Sequence, residues 1–414
     1  MIAPELLAPA GSFAIAEAAF DRGADAVYIG VGQLNLRAHS PNFAVGDLPE
    51  LLEHAAKRGK KVYIALNIMP DEGRLDEVND TLCKISSLDI LPDAFIISDP
   101  GVLLLCKKIV PQVALHLSTQ TGSFNSLSLK FWKDQGISRV VLPREFTLTQ
   151  IAHLNSLSEI ETEIFIHGAM CVSISGRCLL GAYLNGRHPN LGDCPQPCRF
   201  QYRISSVQSP SQPDCSFDVE ENQNGVYLLN SKDLCTISIL PQILACGVHS
   251  LKIEGRNKSI HYVASVVKTY REALDECLKD PQKFVVRKEW IDELETIEHR
   301  PYTTAFYTQE AVMQEVYSSK AASNSRVLGI VKGILEGGIP VIDVKNSFGV
   351  TDVLEVLPVK RFSFPFDISF SHFTDLSGNP VQKIPSNRLL CAHGASVKLN
   401  PGDMLRMPVK RVSE

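Results

Sequence analysis

This 414-residue chain lacks the features of several protein classes. It has no window of 18 uninterrupted apolar residues, and the starting stretch MIAPELLAPAGSF lacks the basic start and long apolar run of a secretory signal. We therefore expect a cytoplasmic protein without a membrane partner. A net charge of -5 with 21% charged residues excludes a strongly basic protein and a disordered one. Any nucleic acid must then contact a local basic surface.

Signatures of two hydrolase classes are also missing. The chain contains neither the H-E-x-x-H of zinc peptidases nor the G-x-S-x-G of serine hydrolases. Cysteine, by contrast, is plentiful: there are 11, an odd number, which in a reducing compartment favours metal binding or catalysis over disulfides. Four of them lie within 28 residues, without the compact C-x(2)-C knuckle that is typical of zinc sites.

One pattern occurs four times: an amphipathic run ends at a glycine, and a β-branched strand follows after one to three polar residues. A glycine after a helix can adopt the left-handed conformation, which permits a tight turn into a strand. The glycines are Gly23, Gly59, Gly136 and Gly247. Strands are predicted at 5–10, 26–30, 62–67, 94–99, 114–119, 139–144, 162–167 and 250–255. Eight strands that alternate with helices predict an α/β fold, a (β/α)8 TIM-like barrel in preference to a doubly wound sheet.

The predicted organisation has three parts. Residues 1–280 form the barrel and catalytic domain, with a cysteine-containing insertion at about 168–249. Residues 281–325 form a connecting region, and 326–414, with short β-rich pieces separated by turns, form a small C-terminal antiparallel β-barrel domain. Because the insertion follows a strand, we expect it at the C-terminal end of the barrel, where TIM barrels carry their active sites.

The insertion places Cys171, Cys178, Cys194 and Cys198 in the spacing C-x(6)-C-x(15)-C-x(3)-C. Thiolates bind zinc and the iron of iron-sulfur clusters, and four of them complete either site. The wide, glycine-rich spacing suits a loop that wraps around a group larger than a single metal ion. The alternative interpretation is that the four cysteines are buried free thiols. Cys235 is a fifth candidate that could replace or supplement one of the four.

Polar residues at predicted strand ends and around the cysteines are the remaining candidates. Histidine can move a proton near neutral pH, and arginine offers a planar fork to a carboxylate or phosphate. Each residue also has a structural interpretation, as a core histidine or as part of a strand-end ion pair. The catalytic candidates are His116, Arg144, Glu163, His167, Lys252 and Glu254, and the substrate-binding candidates are Asn67, Asp99, Gln120, Arg177, Arg187, Arg199 and Arg256.

A family resemblance rests first on EIFIHGAMCVSISGRC, residues 163–178. This stretch resembles the signature of the collagenase-like peptidase family of unassigned catalytic type, although Gly181 stands where that signature has a serine. The stretches ELLAPAGS, GADAVYIG, HLSTQT and SLKIEGRNKS are also similar to that family. The motif NSKDL and the β-rich tail make the chain most similar to the branch of the family that hydroxylates tRNA.

The resemblance implies a function and a cofactor. It implies formation of 5-hydroxyuridine at the tRNA wobble position, with prephenate, a small carboxylic acid, as co-substrate and with dependence on the iron-sulfur assembly machinery. It implies a 4Fe-4S cluster on Cys171, Cys178, Cys194 and either Cys198, which we favour, or Cys235. The alternatives are a collagenase-like peptidase that pairs a cysteine with His167, and a non-catalytic RNA-binding protein.

Overall fold

The computed structural model describes residues 3–171, 173–174, 177–178, 180, 187, 189–194, 196–199, 231–308, 325–352 and 354–408. The described residues divide into two compact units. Unit 1 is drawn from Met1–Ala16, Ala24–Lys258 and His299–Ala321, and unit 2 from Glu17–Gly23, Ser259–Glu298 and Ala322–Glu414. None of the helices in the described ranges has the length and apolar character needed to cross a bilayer.

Unit 1 contains a closed barrel of parallel strands. Its first seven strands pair in chain order: β1 (Glu5–Pro9), β2 (Ala26–Gly30), β3 (Lys61–Leu66), β4 (Ala94–Ile97), β5 (Ala114–Leu117), β6 (Arg139–Val141) and β7 (Glu161–Ala169). After β8 (Asp233–Cys235), strand β9 (Ser250–Ile253) pairs in parallel with both β7 and β1 and closes the barrel. The predicted TIM-like barrel is therefore confirmed.

Helices connect the barrel strands. They are α1 (Phe13–Asp21), α2 (Leu48–Lys57), α3 (Glu72–Ser86), α4 (Pro100–Ile109), α5 (Ser126–Asp134), α6 (Leu148–Leu157) and α7 (Leu240–Ala245), of which α1 passes from unit 1 into unit 2 at Glu17. Strands β2 and β4 are buried at every residue, as expected for a sheet covered on both faces. The four helix-ending glycines all have positive φ, between 64° and 100°.

Two short strands extend the sheet beside β7. Strand β8 runs antiparallel to β7, with Cys235 opposite His167, and β10 (Tyr302–Thr303), within the predicted connecting region, runs parallel to β8. Buried Arg300 donates from Nε to Asp233 Oδ1 at 3.1 Å, which fixes the chain before β10 to β8. The two strands thus continue the sheet beyond β7, held at this edge by the Arg300–Asp233 ion pair.

Unit 2 combines two helices with an antiparallel sheet. The helices are α8 (Ile260–Lys279) and α9 (Lys288–Leu294). The strands are β11 (Ser325–Ile334), β12 (Pro340–Val344), β13 (Leu354–Leu357), β14 (Phe366–Ile368), β15 (His372–Thr374), β16 (Pro380–Val381), β17 (Arg388–His393) and β18 (Met404–Pro408). Their order is β14-β13-β18-β11-β12-β17-β15-β16, around a core that includes Leu328, Phe373 and Leu405. The predicted antiparallel β domain is confirmed.

Candidate active-site cleft

A cleft that is partly open to solvent lies at the C-terminal ends of the barrel strands. Its lining includes Asn67 after β3, Gln120 after β5, Arg144 after β6, Met170 after β7 and Glu254 after β9. The carboxyl ends of parallel barrel strands converge at one face, which explains how residues far apart in sequence meet here.

The four clustered cysteines, Cys171, Cys178, Cys194 and Cys198, all line this cleft. Burial raises the pKa of the Cys198 thiol; Arg199 opposes this rise, while the other three thiols add to it. The amide of Leu180 donates to Cys178 Sγ at 3.3 Å. The thiols are therefore close enough to influence one another through charge.

Cys235 lies elsewhere. It is a buried residue of β8, 8% exposed, and it is absent from the described lining of the cleft. The cleft therefore brings Cys198, and not Cys235, together with Cys171, Cys178 and Cys194.

The donor chemistry of these thiols fits an iron-sulfur cluster, which is held by four cysteine thiolates. Among the described residues, no three histidine, cysteine, aspartate or glutamate side chains converge as they would on a single metal ion. Cationic side chains line the same cleft as these thiols. The pKa of Arg37 is raised by Glu254 and, to a smaller extent, by Cys194. The four thiols thus surround one cavity in a positively charged setting.

Five cationic side chains and one carboxylate line the described part of the cleft: Arg37, Arg144, Arg199, Lys252 and Arg256, with Glu254. Glu254 accepts a hydrogen bond from Arg37 Nη2 at 3.0 Å. Burial alone would raise the pKa of Glu254, but Arg37 and Arg144 lower it below its usual range. The cleft therefore keeps an excess of positive charge suited to an anionic ligand.

Two of the arginines have donors that no described residue accepts. The guanidinium of Arg144 lies 3.7 Å from the centroid of the Phe165 ring, and its Nε is buried without a partner among the described residues. Arg256 is 4% exposed; its Nη2 donates to Asn35, and no described residue accepts from its buried Nη1. Burial lowers the pKa of Arg256 to about 10, so it remains charged at neutral pH. Such donors suit the oxygens of a bound carboxylate or phosphate.

A buried charge network lies beneath the cleft, toward the N-terminal ends of the strands. Lys252 lines the cleft and donates from Nζ to Glu163 Oε1 at 2.8 Å. Glu163 is fully buried, 3.6 Å from Arg139, which also pairs with Glu5 at 2.6 Å. His116 is buried in the same interior; burial, reinforced by Arg139, holds its pKa far below the usual range. Neither Glu163 nor His116 lines the cleft.

His167 also lies outside the described lining, although Phe165 on the same strand is part of it. A bulge between these two residues interrupts the pairing of β7 with β9. A bulge changes the face that the following side chains occupy. The His167 ring accordingly packs against Tyr302 of β10, 5.4 Å between centroids, and burial lowers its pKa to about 3.

Three substrate-binding candidates have local structural partners. Asp99 begins α4 and accepts from the amide of Gly101 at 2.8 Å. Arg177, which is exposed, donates to the carbonyl of Gln120. Arg187 donates from Nε to Asp193 at 2.7 Å. None of the three lines the described cleft.

The amide side chains of Asn67 and Gln120 form one wall of the cleft. Asn67 Nδ2 donates to Gln120 Oε1 at 3.0 Å, and Ser118 Oγ donates to the same oxygen at 2.5 Å. Sequence reasoning missed Arg37 and Asn35, in the loop after β2. Their position after a barrel strand was the available signal.

Comparisons with known proteins give matches that cover most of the chain. The model of the family described as Peptidase family U32 matches residues 11–316. tRNA hydroxylation protein P1 of Bacillus subtilis (strain 168) is 38% identical over 304 residues, 73% of this chain and 71% of that protein. tRNA hydroxylation protein P of Escherichia coli (strain K12) is 33% identical over 428 residues, 94% of this chain and 92% of that protein. A 23S rRNA 5-hydroxycytidine synthase of E. coli (strain K12) is 34% identical over 276 residues, 67% of this chain and 40% of that protein.

Proposed function

The chain belongs to peptidase family U32, and from that premise we propose that it hydroxylates a pyrimidine base of RNA. Relatives named for tRNA hydroxylation and for 5-hydroxycytidine synthesis in rRNA support this reaction class. The structural observation that carries the proposal is the cleft in which four thiols meet five cationic side chains.

In its finer form, the proposal is prephenate-dependent formation of 5-hydroxyuridine at the tRNA wobble position. Prephenate carries two carboxylates, and the donors of Arg144 and Arg256 that no described residue accepts fit such a dianion. Lys252 supplies a third cation at the base of the cleft. The Asn67 and Gln120 amides bond to each other and would shape the wall beside a pyrimidine, which must be flipped out of its stack to enter.

We propose Cys171, Cys178, Cys194 and Cys198 as the ligands of a 4Fe-4S cluster, delivered by the iron-sulfur assembly machinery. Such a cluster supplies one-electron chemistry when bound. The chain's own residues would bind the anion through their guanidinium groups. Glu254, ionised beside Arg37, is a carboxylate of the described cleft lining that could accept a proton, and Lys252 adds a cation beside the ligand.

Peptide cleavage is less well supported by the same geometry. A cysteine peptidase needs a histidine next to its thiolate to act as the base. The described lining of the cleft contains cysteines and no histidine, and the ring of His167 packs against Tyr302. Gelatin cleavage by the purified wild-type chain that is lost in Cys171→Ser would support peptidase activity.

The proposal is tested by deleting the gene and measuring tRNA nucleosides by mass spectrometry. We expect 5-hydroxyuridine and its derivatives to disappear, and to return with the wild-type gene but not with Cys171→Ser. Undiminished 5-hydroxyuridine in a strain without a second enzyme of this kind would rule the proposal out. Loss of 5-hydroxycytidine from rRNA instead would keep the reaction class and change the RNA.

A further inference from the structure

The loop after β2 contains a buried asparagine, Asn35, whose side-chain amide makes several hydrogen bonds within the protein. Asn35 is 1% exposed, so its amide must find partners within the protein. Its Nδ2 donates to the carbonyl of Gly32 and to Asn42 Oδ1, both at 3.3 Å. Asn42 in turn donates to the carbonyl of Arg37 at 3.1 Å. These bonds orient the amide so that its oxygen is the acceptor for the remaining neighbours.

That oxygen joins two arginines of the cleft. Asn35 Oδ1 accepts from the backbone amide of Arg37 at 2.9 Å and from Nη2 of Arg256. The arginines follow different strands, β2 and β9, and both side chains line the cleft. One neutral amide therefore fixes cleft residues that are 219 positions apart, the difference between 256 and 37.

Glycines create the room for this arrangement. A Cβ added to Gly30, the last residue of β2, would overlap Arg256 Nη1 and lie 2.5 Å from Asn35 Nδ2. A Cβ added to Gly192 would lie 2.5 Å from the carbonyl oxygen of Asn35, so the segment that carries Cys194 packs against the same loop. Alanine at either place would force the loop or the guanidinium to move.

We infer that Asn35 is a positioning residue, which holds Arg256 and Arg37 in place to bind an anionic carboxylate ligand in the cleft. The inference rests on the proposed function for the identity of that ligand. Asn35 is suited to this because its amide accepts from the guanidinium without neutralising it, whereas an aspartate would pair with the charge. Arg256 keeps its positive charge and an Nη1 that is unpaired within the described part of the chain and can bind the ligand.

The inference is tested by calorimetric titration with malonate, a plain dicarboxylate. Asn35→Ala removes the acceptor, whereas Gly30→Ala keeps the asparagine side chain but introduces a Cβ that overlaps Arg256 Nη1 and crowds the Asn35 amide. Both variants should raise the Kd for malonate about tenfold at unchanged stoichiometry, because a hydrogen bond to a charged group contributes roughly that factor. Asn125→Ala, which removes a helix cap at the start of α5, is the matched control and should leave Kd and stoichiometry as in the wild type.

A purely structural role predicts a different result. If Asn35→Ala only unfolded part of the sample, stoichiometry would fall while Kd stayed constant, and that outcome would overturn the inference. Failure of the wild type to bind malonate would overturn it as well. With prephenate and tRNA as substrates, the two variants should raise KM for prephenate and leave kcat within about twofold. Malonate binding of the expected pattern in a protein that hydroxylates no RNA would reject the proposed function and leave the role of Asn35 intact.

Discussion

Lys252 depends on partners outside the cleft that it lines. The residue is 5% exposed, and its ammonium is hydrogen-bonded to Glu163 and lies 4.5 Å from the centroid of the Tyr28 ring. Removing one partner of a buried pair leaves an uncompensated charge, which typically costs about 3–5 kcal/mol. Glu163→Gln should therefore lower the free energy of unfolding by roughly that amount and lower activity too, as checked by denaturant titration and nucleoside assay.

The double variant Glu163→Gln/Lys252→Met separates stability from function. Because it removes both charges, it should recover most of the lost stability. It should stay inactive, since Lys252, the cation at the base of the cleft, is missing. If the double variant regained activity, Lys252 would have only a structural role.

Cys198 and Cys235 can be distinguished directly. Cys198 lines the cleft with the other three thiols, whereas Cys235 is buried in β8. In protein purified without oxygen, Cys198→Ser should lose most of its iron and sulfide, and Cys235→Ser should retain both, as measured by metal and sulfide analysis. The reverse pattern would make Cys235 the fourth ligand.

The sequence predicts which residue types occur near the cleft better than it predicts which way they face. Arg144, Lys252 and Glu254 line the cleft as expected, but Glu163 and His116 lie in the barrel interior beneath it. Strands of a parallel barrel are buried on both faces, so their sequences do not alternate between apolar and polar residues. The sequence therefore does not show which side chains point into the barrel. A bulge, which turns His167 toward Tyr302, has no reliable sequence signal.

At the scale of elements, the apolar strands of the barrel were predictable, whereas the two shortest strands of its sheet were not. Predicted strands 26–30 and 94–99 correspond to β2 (Ala26–Gly30) and β4 (Ala94–Ile97). Strands β8 and β10 have three and two residues, too few for a period to appear. Their pairing depends on the tertiary contact between Asp233 and Arg300, which local sequence cannot specify.

The cysteine-bearing insertion also presents basic residues, Arg187 and Arg199, beside the thiols. If they contact tRNA phosphates, Arg187→Gln/Arg199→Gln should weaken tRNA binding and reduce the slope of log affinity against log salt by about two. Filter binding of tRNA across a series of salt concentrations measures both the affinity and the slope.

The matched control is Lys84→Gln/Lys108→Gln. These exposed lysines lie in the last turns of α3 and α4, and α/β connections place those helix ends at the opposite face of the barrel. Equal weakening by both pairs would indicate nonspecific charge loss instead of a binding surface.

At the scale of the whole molecule, histidines buried in both units link stability to pH. His116 and His167 lie in unit 1, and His261 lies in unit 2. His261 is the clearest case, because Arg406 Nη1 donates to its Nε2 at 3.0 Å and an arginine can only donate. The ring must therefore be neutral, and burial, with Arg406 acting in the same direction, lowers the pKa of His261 to about 4.

This lowered pKa predicts a loss of stability in mild acid. Between about pH 6.5 and pH 4 the unfolded chain binds a proton that folded unit 2 excludes, so the contribution of His261 is complete above that window and declines as the pH falls. At pH 5 the loss of unfolding free energy is about 2 kcal/mol from this residue alone.

His261→Gln, which keeps an acceptor for Arg406 but cannot titrate, should show a smaller drop in the unfolding temperature between pH 7 and pH 5 than the wild type. The exposed His153→Gln serves as control and should follow the wild type. Identical drops in all three proteins would mean that protonation of His261 does not limit acid stability.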